Sequence, residues 1–247
     1  MNNQYDFLAK VYDELMYDID YTQWADYLLT FLKERKNIIE YACGTGNITT
    51  QLVRKGCEVI AVDSSEQMLD IAMQKTKKAA QDIRYVCEDM CELKLHKKMQ
   101  AAVCACDGVN YILTETNLER FFENVFYNLE ERAVFLFDIS SAYKLKEILG
   151  DEFFYDDGDE QTYFWQNSFD EKTKILSMNI TLFIAQNTVY QRFDECHTQR
   201  AWSIEEIFQA LEKAGFKEIK AYEFETKNKI KDDTQRIQIV AVKGEYR

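Results

Sequence analysis

Apolar positions along this chain change their period twice. Through about residue 150, helical and strand periods alternate. Tyr5, Leu8, Ala9, Tyr12 and Leu15 fall on one helical face, and Trp24, Tyr27, Leu28, Phe31 and Leu32 on another. Asn37 to Tyr41 reads as a short buried strand running into a glycine turn. A helix from Ile48 to Lys55 and a strand from Cys57 to Val62 follow. Ser64 with Gln67 predicts a capping box for a helix reaching about Lys78. Ile83 to Cys87 and Ala101 to Cys106 are two further strands. Thr116 with Glu119 caps a helix whose apolar face is Phe122, Val125, Phe126 and Leu129, and Ala133 to Phe137 is a fifth strand. Strands alternating with helices of this length predict βαβ units and a parallel sheet.

After Gly150 the period falls to two. Leu176, Met178, Ile180, Leu182 and Ile184 alternate with polar or smaller residues, Asn187 marks a turn, and a strand runs from about Thr188 to Gln199. This predicts an antiparallel insertion of three or four strands over 151–200. The helical period then returns. Ser203 and Glu206 form a capping box, Ile204, Ile207, Phe208 and Leu211 share a face, and Gly215 stops the helix. Phe216 to Phe224 and Arg236 to Val242 are closing strands.

Composition narrows the function classes. A chain of 247 residues with 47% hydrophobic and 30% charged positions buries a full core without disulfides. The balance of 30 basic against 43 acidic residues, net −13, disfavours a nucleic-acid partner. No apolar run approaches the ~18 residues of a membrane span. The start, MNNQYDF, lacks the pattern of a signal peptide. With seven cysteines, an odd number, reduced thiols and a cytoplasmic protein are expected.

The strongest chemical signal is IIEYACGTGN, Ile38 to Asn47. A buried strand ends in a glycine turn that opens a helix. Gly44 and Gly46 let backbone approach a ligand, and the free N–H groups of the helix start face the same point. The next strand ends AVDSS, with Asp63 placed to accept both hydroxyls of a ribose. Together these indicate an adenosine-type cofactor; the competing interpretation is a tight turn beside a solvated Asp. The small residues read A-x-G-x-G, Ala42, Gly44 and Gly46, so the GxGxxG register of a nicotinamide dinucleotide site fails. Glu40, two residues before Ala42, suits a cofactor with a cationic amino-acid end.

E-x-A-C-G-T-G followed by V-D-x-S resembles the class I S-adenosylmethionine-dependent methyltransferases. The resemblance covers about the first 140 residues and the last 45. It implies a Rossmann-like α/β fold with a seven-stranded, mostly parallel sheet whose last strand is antiparallel. It also implies S-adenosylmethionine as cofactor. The core would be 1–150 with 201–247, residues 1–36 forming a helical lid, and 151–200 would cover the acceptor site. By the same resemblance, Glu40, Ala42, Gly44 and Gly46 contact the methionine moiety. Asp63 takes the ribose, with Ser64 and Met68 beside the adenine, and Asp89 and Met90 match a further adenine position. Cys106 and Asp107 border the sulfonium, and Tyr12, Tyr21 and Trp24 are lid candidates. A plain amphipathic helix pair is the alternative for that lid segment. Ala42 replaces the commoner first glycine, and the Asn-Pro-Pro-Tyr tetrapeptide of members acting on base or amide nitrogen is missing from ACDGVNYI.

Methyl transfer needs a nucleophile held in line, close and dry, and sometimes a base. In the strand 188–199, Val189, Gln191, Phe193, Glu195, His197 and Gln199 point one way. His197 is the best base candidate; a structurally hydrogen-bonded edge strand is the alternative. Asn110 and Tyr111, after the fourth strand, and Asp138, ending the fifth, are further acceptor-side candidates, with Trp165 and Arg192 weaker ones. No cysteine or histidine spacing fits a metal site, so none is expected. The expected activity is methyl transfer to a small-molecule acceptor, with a homodimer through the insertion as a further expectation. A non-catalytic cofactor-binding module is the alternative.

Overall fold

Strands β1 (Asn37–Tyr41) and β4 (Met99–Cys104) are almost continuously buried, so both of their faces must be covered. The computed structural model describes residues 9, 11–79, 81–158, 161–186 and 189–244. Around β1 and β4 it builds a seven-stranded sheet with β2 (Glu58–Asp63), β3 (Arg84–Cys87), β5 (Leu129–Ser140), β10 (Phe216–Glu223) and β11 (Arg236–Lys243). The order is β10-β11-β5-β4-β1-β2-β3. Pairing is parallel from β3 across to β5, and β11 runs antiparallel to both β5 and β10. This is the Rossmann-like sheet with a reversed last strand that the resemblance implied.

Helices cover both faces. Helices α5 (Glu115–Asn128) and α6 (Ile204–Ala214) bury Leu118, Phe121, Phe122 and Leu211 against one face, beside Trp202. Helices α2 (Tyr21–Leu32), α3 (Asn47–Arg54) and α4 (Glu66–Lys78) bury Leu28, Leu32, Leu52 and Leu69 against the other. Each such side chain contributes roughly 1.5–3 kcal/mol by leaving water.

A second sheet, β6 (Phe153–Asp157), β7 (Gln161–Asp170), β8 (Ile175–Gln186) and β9 (Val189–Arg200), is antiparallel and in sequential order. Its inner face follows the predicted alternation: Leu176, Met178 and Leu182 pair across from Gln199, His197 and Phe193. That face packs Leu182 and Phe193 on Val11, beside the one-turn helix α1 (Tyr12–Leu15). It packs Leu176 and Met178 on Leu145, in a π-turn at Lys144–Leu149.

Several boundaries differ from the sequence expectation. The α4 cap is Ser65, not Ser64: its hydroxyl accepts from Met68 N, and the Asp63 carboxylate turns the chain by accepting from Ser65 N. The α5 cap is Thr114, which accepts from Asn117 N, so Thr116 lies inside the helix. Strand β4 stops at Cys104 rather than Cys106, because Cys106 and Asp107 adopt left-handed backbones (φ 58° and 50°) that no strand can hold. The α6 capping box at Ser203 and Glu206 and the Gly215 stop are as expected. Tyr5, Leu8, Asn187 and Thr188 lie outside the described residues.

Candidate active site

The turn after β1 is built from left-handed backbone: Ala42 (φ 51°), Gly44 (φ 55°) and Gly46 (φ 75°). At Gly46 space forbids a side chain as well. A Cβ there would meet Tyr85 Oη at 3.0 Å and Ala72 Cβ at 3.2 Å. At Gly44 a Cβ would meet nothing within 4 Å, because this residue faces a cavity. Gly44 N donates to Asp63 Oδ2 at 2.8 Å, which ties the turn to the end of β2.

The cavity, about 840 Å³, opens at the carboxyl ends of β1, β2 and β4. Its wall brings together Tyr12, Tyr21, Glu40, Ala42, Gly44, Asp63, Ser64, Met68, Asp89, Met90 and Cys106 from the sequence-derived cofactor set. Asp89 Oδ1 accepts from Cys91 N at 2.8 Å, which fixes the loop after β3. Glu40 is 2% exposed and accepts from Thr49 Oγ1 at 2.7 Å. Burial pushes its carboxyl up to about 8, so it is mostly protonated at neutral pH. Burial also raises Asp63, although N–H groups of Ser65 and Gly44 oppose the rise. Burial pushes Tyr21 up to about 12 and Tyr12 well above its ordinary value, so both hydroxyls stay neutral.

Three of the sequence-derived cofactor residues do not reach the wall. Gly46 caps α3 beneath it. Trp24 is buried, stacked on Tyr21 at 6.5 Å, with Phe224 edge-on at 4.7 Å. Asp107 is held in place by Arg236 at 2.7 Å, while Gln199 Nε2 donates to its other oxygen at 2.7 Å.

The acceptor-side expectations need more correction. Asn110 is 0% exposed, and backbone absorbs its amide: it donates to Ser140 O and Arg200 O and accepts from Ser140 N, each at 3.0 Å. It clamps the 3₁₀ turn Gly108–Tyr111 between β5 and β9 and does not line the cavity. Asp138, 1% exposed, pairs with Arg236 and accepts from Asp107 N. It belongs to a buried charge cluster, not to the cavity. Burial raises the Asp138 carboxyl, with Arg236 opposing. Burial pushes Asp107 up as well, but there Arg236 and Lys144 outweigh it and the carboxyl stays below its usual range. Arg192 pairs with Asp194 in solvent, away from His197.

His197 is 2% exposed and lies one ring behind the wall. Its Nε2 is 3.0 Å from Glu195 Oε2, and its ring meets that of Tyr111 at 6.2 Å, nearly perpendicular. Tyr111 itself lines the cavity. Sequence reasoning missed Arg236, Lys144 and Asp13. Each acts across elements distant along the chain, and no local spacing marks such a pair. Among the described residues no three His, Cys, Asp or Glu side chains gather into a metal site. Nor is any helix among the described residues long and apolar enough to cross a membrane.

The residues fit the expected cofactor. S-adenosylmethionine has an ammonium, a sulfonium and a carboxylate. Among the described residues the wall offers Glu40, Asp63, Glu88 and Asp89 and no Lys, Arg or His. Known proteins agree with this geometry. A family described as methyltransferase domain matches residues 38–132. YqeM of Bacillus subtilis (strain 168), a methyltransferase by name, is 35% identical over 213 residues, covering 86% of each chain. The solved S-adenosylmethionine-dependent methyltransferase of Clostridium acetobutylicum ATCC 824 is 34% identical, with a TM-score of 0.89 over 98% of this chain and 99% of that one. The sugar N-methyltransferase KedS8 of Streptoalloteichus shares the fold alone, at 19% identity and a TM-score of 0.80 over 99% of this chain and 97% of that one. Glycine turn, acidic cavity, reversed last strand and these likenesses converge: the chain belongs to the class I S-adenosylmethionine-dependent methyltransferases.

Proposed function

We propose that this enzyme methylates a small molecule carrying an amine. The observation that carries the proposal is that, among the described residues, the cavity wall has no Lys, Arg or His and holds four carboxyl groups instead. A polyanionic acceptor is repelled by such a wall, and a cationic or neutral one is not. The name of the structural neighbour KedS8, a sugar N-methyltransferase, points to the same acceptor class.

The bound cofactor supplies an electrophilic methyl on sulfur. In this proposal Glu40, Ala42 and Gly44 hold its methionine end, Asp63 its ribose, and Ser64, Met68, Asp89 and Met90 its adenine. Cys106, Tyr12 and Tyr21 surround the sulfonium. Residues 1–36 act as the lid and 151–200 as the acceptor cover. The acceptor enters beside Tyr111, and the rings exclude water there. That methyl would be what the acceptor lone pair takes up, with the carbon–sulfur electron pair returning to sulfur. The proton leaving the nitrogen passes toward His197, which Glu195 orients. Exposed Phe153, Tyr155 and Phe164 on the outer face of the second sheet support pairing of two chains there, which sedimentation would test.

The test has two stages. Calorimetric titration with S-adenosylhomocysteine, with NADH in parallel, should show saturable binding of the first alone. A labelled-methyl screen should then give turnover on amine-bearing small molecules. Transfer only to nucleic acid or protein would overturn the acceptor class.

A further inference from the structure

Asp13 stands outside the cavity wall, yet its carboxylate gathers partners from two other parts of the fold. Oδ1 accepts from Thr45 Oγ1 at 2.7 Å and from Asn47 Nδ2 at 2.8 Å. Oδ2 accepts from Lys75 Nζ at 2.8 Å, and the same ammonium donates to Asn47 Oδ1 at 2.6 Å. Thr45 and Asn47 belong to the glycine turn and the start of α3, and both line the cavity. Lys75 comes from the last turn of α4.

Helix α1 has only four residues, too few to persist alone. Its position is set by anchors. Val11 and Leu15 give an apolar one, against Leu182 and Phe193 of the second sheet. Asp13 gives the polar one. Between these anchors Tyr12 lines the cavity, beside Tyr21, Cys106 and Tyr111. The Asp13 side chain is 38% exposed, so its removal leaves no buried hole.

We propose that Asp13 is a latch: its carboxylate fastens α1, and with it Tyr12, across the cavity, and so sets how fast the cofactor leaves. The proposal rests on cofactor binding in this cavity. Asp13 is not part of the cavity wall and acts through Tyr12, as a positioning residue. Opening α1 frees one wall of the cavity. The polar anchor then has to re-form with the same turn that faces the methionine end.

The test is the dissociation rate of S-adenosylhomocysteine from the full chain, followed by stopped-flow displacement. Asp13→Ala should release it roughly tenfold or more faster, with an unslowed association rate. Asp13→Asn keeps one oxygen for Thr45 and Asn47 and replaces the acceptor for Lys75 with an N–H, so its rate should lie between. Lys75→Met should resemble Asp13→Asn. An Asp13→Ala rate within about twofold of the unaltered chain, or an Asp13→Asn rate no slower than Asp13→Ala, overturns the latch. Failure of the unaltered chain to bind at all would remove the cavity assignment first and the latch with it, a result distinct from either.

Discussion

The two halves of the sheet's carboxyl edge handle charge in opposite ways. At the carboxyl ends of β1 and β2, Glu40 and Asp63 have no cationic partner among the described residues and border a cavity. At the carboxyl ends of β4 and β5, Asp107 and Asp138 lie around Arg236, which sits beside Trp24 at 5.2 Å and Phe224 at 5.7 Å. Burial works against the guanidinium, but the two carboxylates more than restore it. One half keeps its carboxyl groups available for a ligand; the other satisfies its charge internally and becomes frame. A carboxylate at a strand's carboxyl end is therefore no evidence of a site until its partner is known. Cys106 sits at the seam: it lines the cavity, while its neighbour Asp107 is bound into the frame.

Breaking the frame should have the largest effect. Arg236→Met leaves two buried carboxylates without their counter-charge and should cost about 3–5 kcal/mol of stability in urea unfolding. A loss under about 1 kcal/mol would show that the cluster does not hold the fold. Next comes His197→Ala, which should lower turnover about 10²-fold, equivalent to about 2.7 kcal/mol, and spare S-adenosylhomocysteine affinity. Unchanged turnover would leave His197 a structural partner of Glu195. On the cavity side, Asp63→Ala should weaken S-adenosylhomocysteine binding by about 2 kcal/mol in calorimetry. Equal affinity would take Asp63 out of the ribose site.

The smallest effect is a proton. Glu40 has a folded value of about 8 against an ordinary 4.5. Between those values the folded chain holds more protons than the unfolded one, so the contribution of Glu40 to stability falls as pH rises through the window. Glu40→Gln should flatten that slope. A cofactor ammonium beside Glu40 would favour the carboxylate, so binding at pH 7 should release a fraction of a proton. Calorimetry in buffers of different ionisation enthalpy measures it, and proton uptake would put the ammonium elsewhere.

Legibility followed the range of the interactions. The glycine turn, the β2 acid and the α6 capping box are local, and each stands where residue spacing put it. Ser64 lost the cap to Ser65 because the Asp63 carboxylate competes for the same stretch of backbone. Asn110 read as an acceptor contact by position, yet its partners Ser140 and Arg200 lie 30 and 90 residues away. Trp24 read as a cofactor ring, yet it packs under Arg236, which opens the last strand.

By itself the sequence determined the order of strands and helices, the glycine turn after β1, the acid at the end of β2 and the inward face of β9. These depend on backbone sterics and on periods of two and 3.6 residues, which act within a few positions. Only the tertiary structure decided which carboxylates stay available, that His197 stands one ring behind Tyr111, and that Asp13 reaches the glycine turn. Those outcomes depend on burial and on partners far along the chain, because a charge costs little or much according to what folding brings beside it.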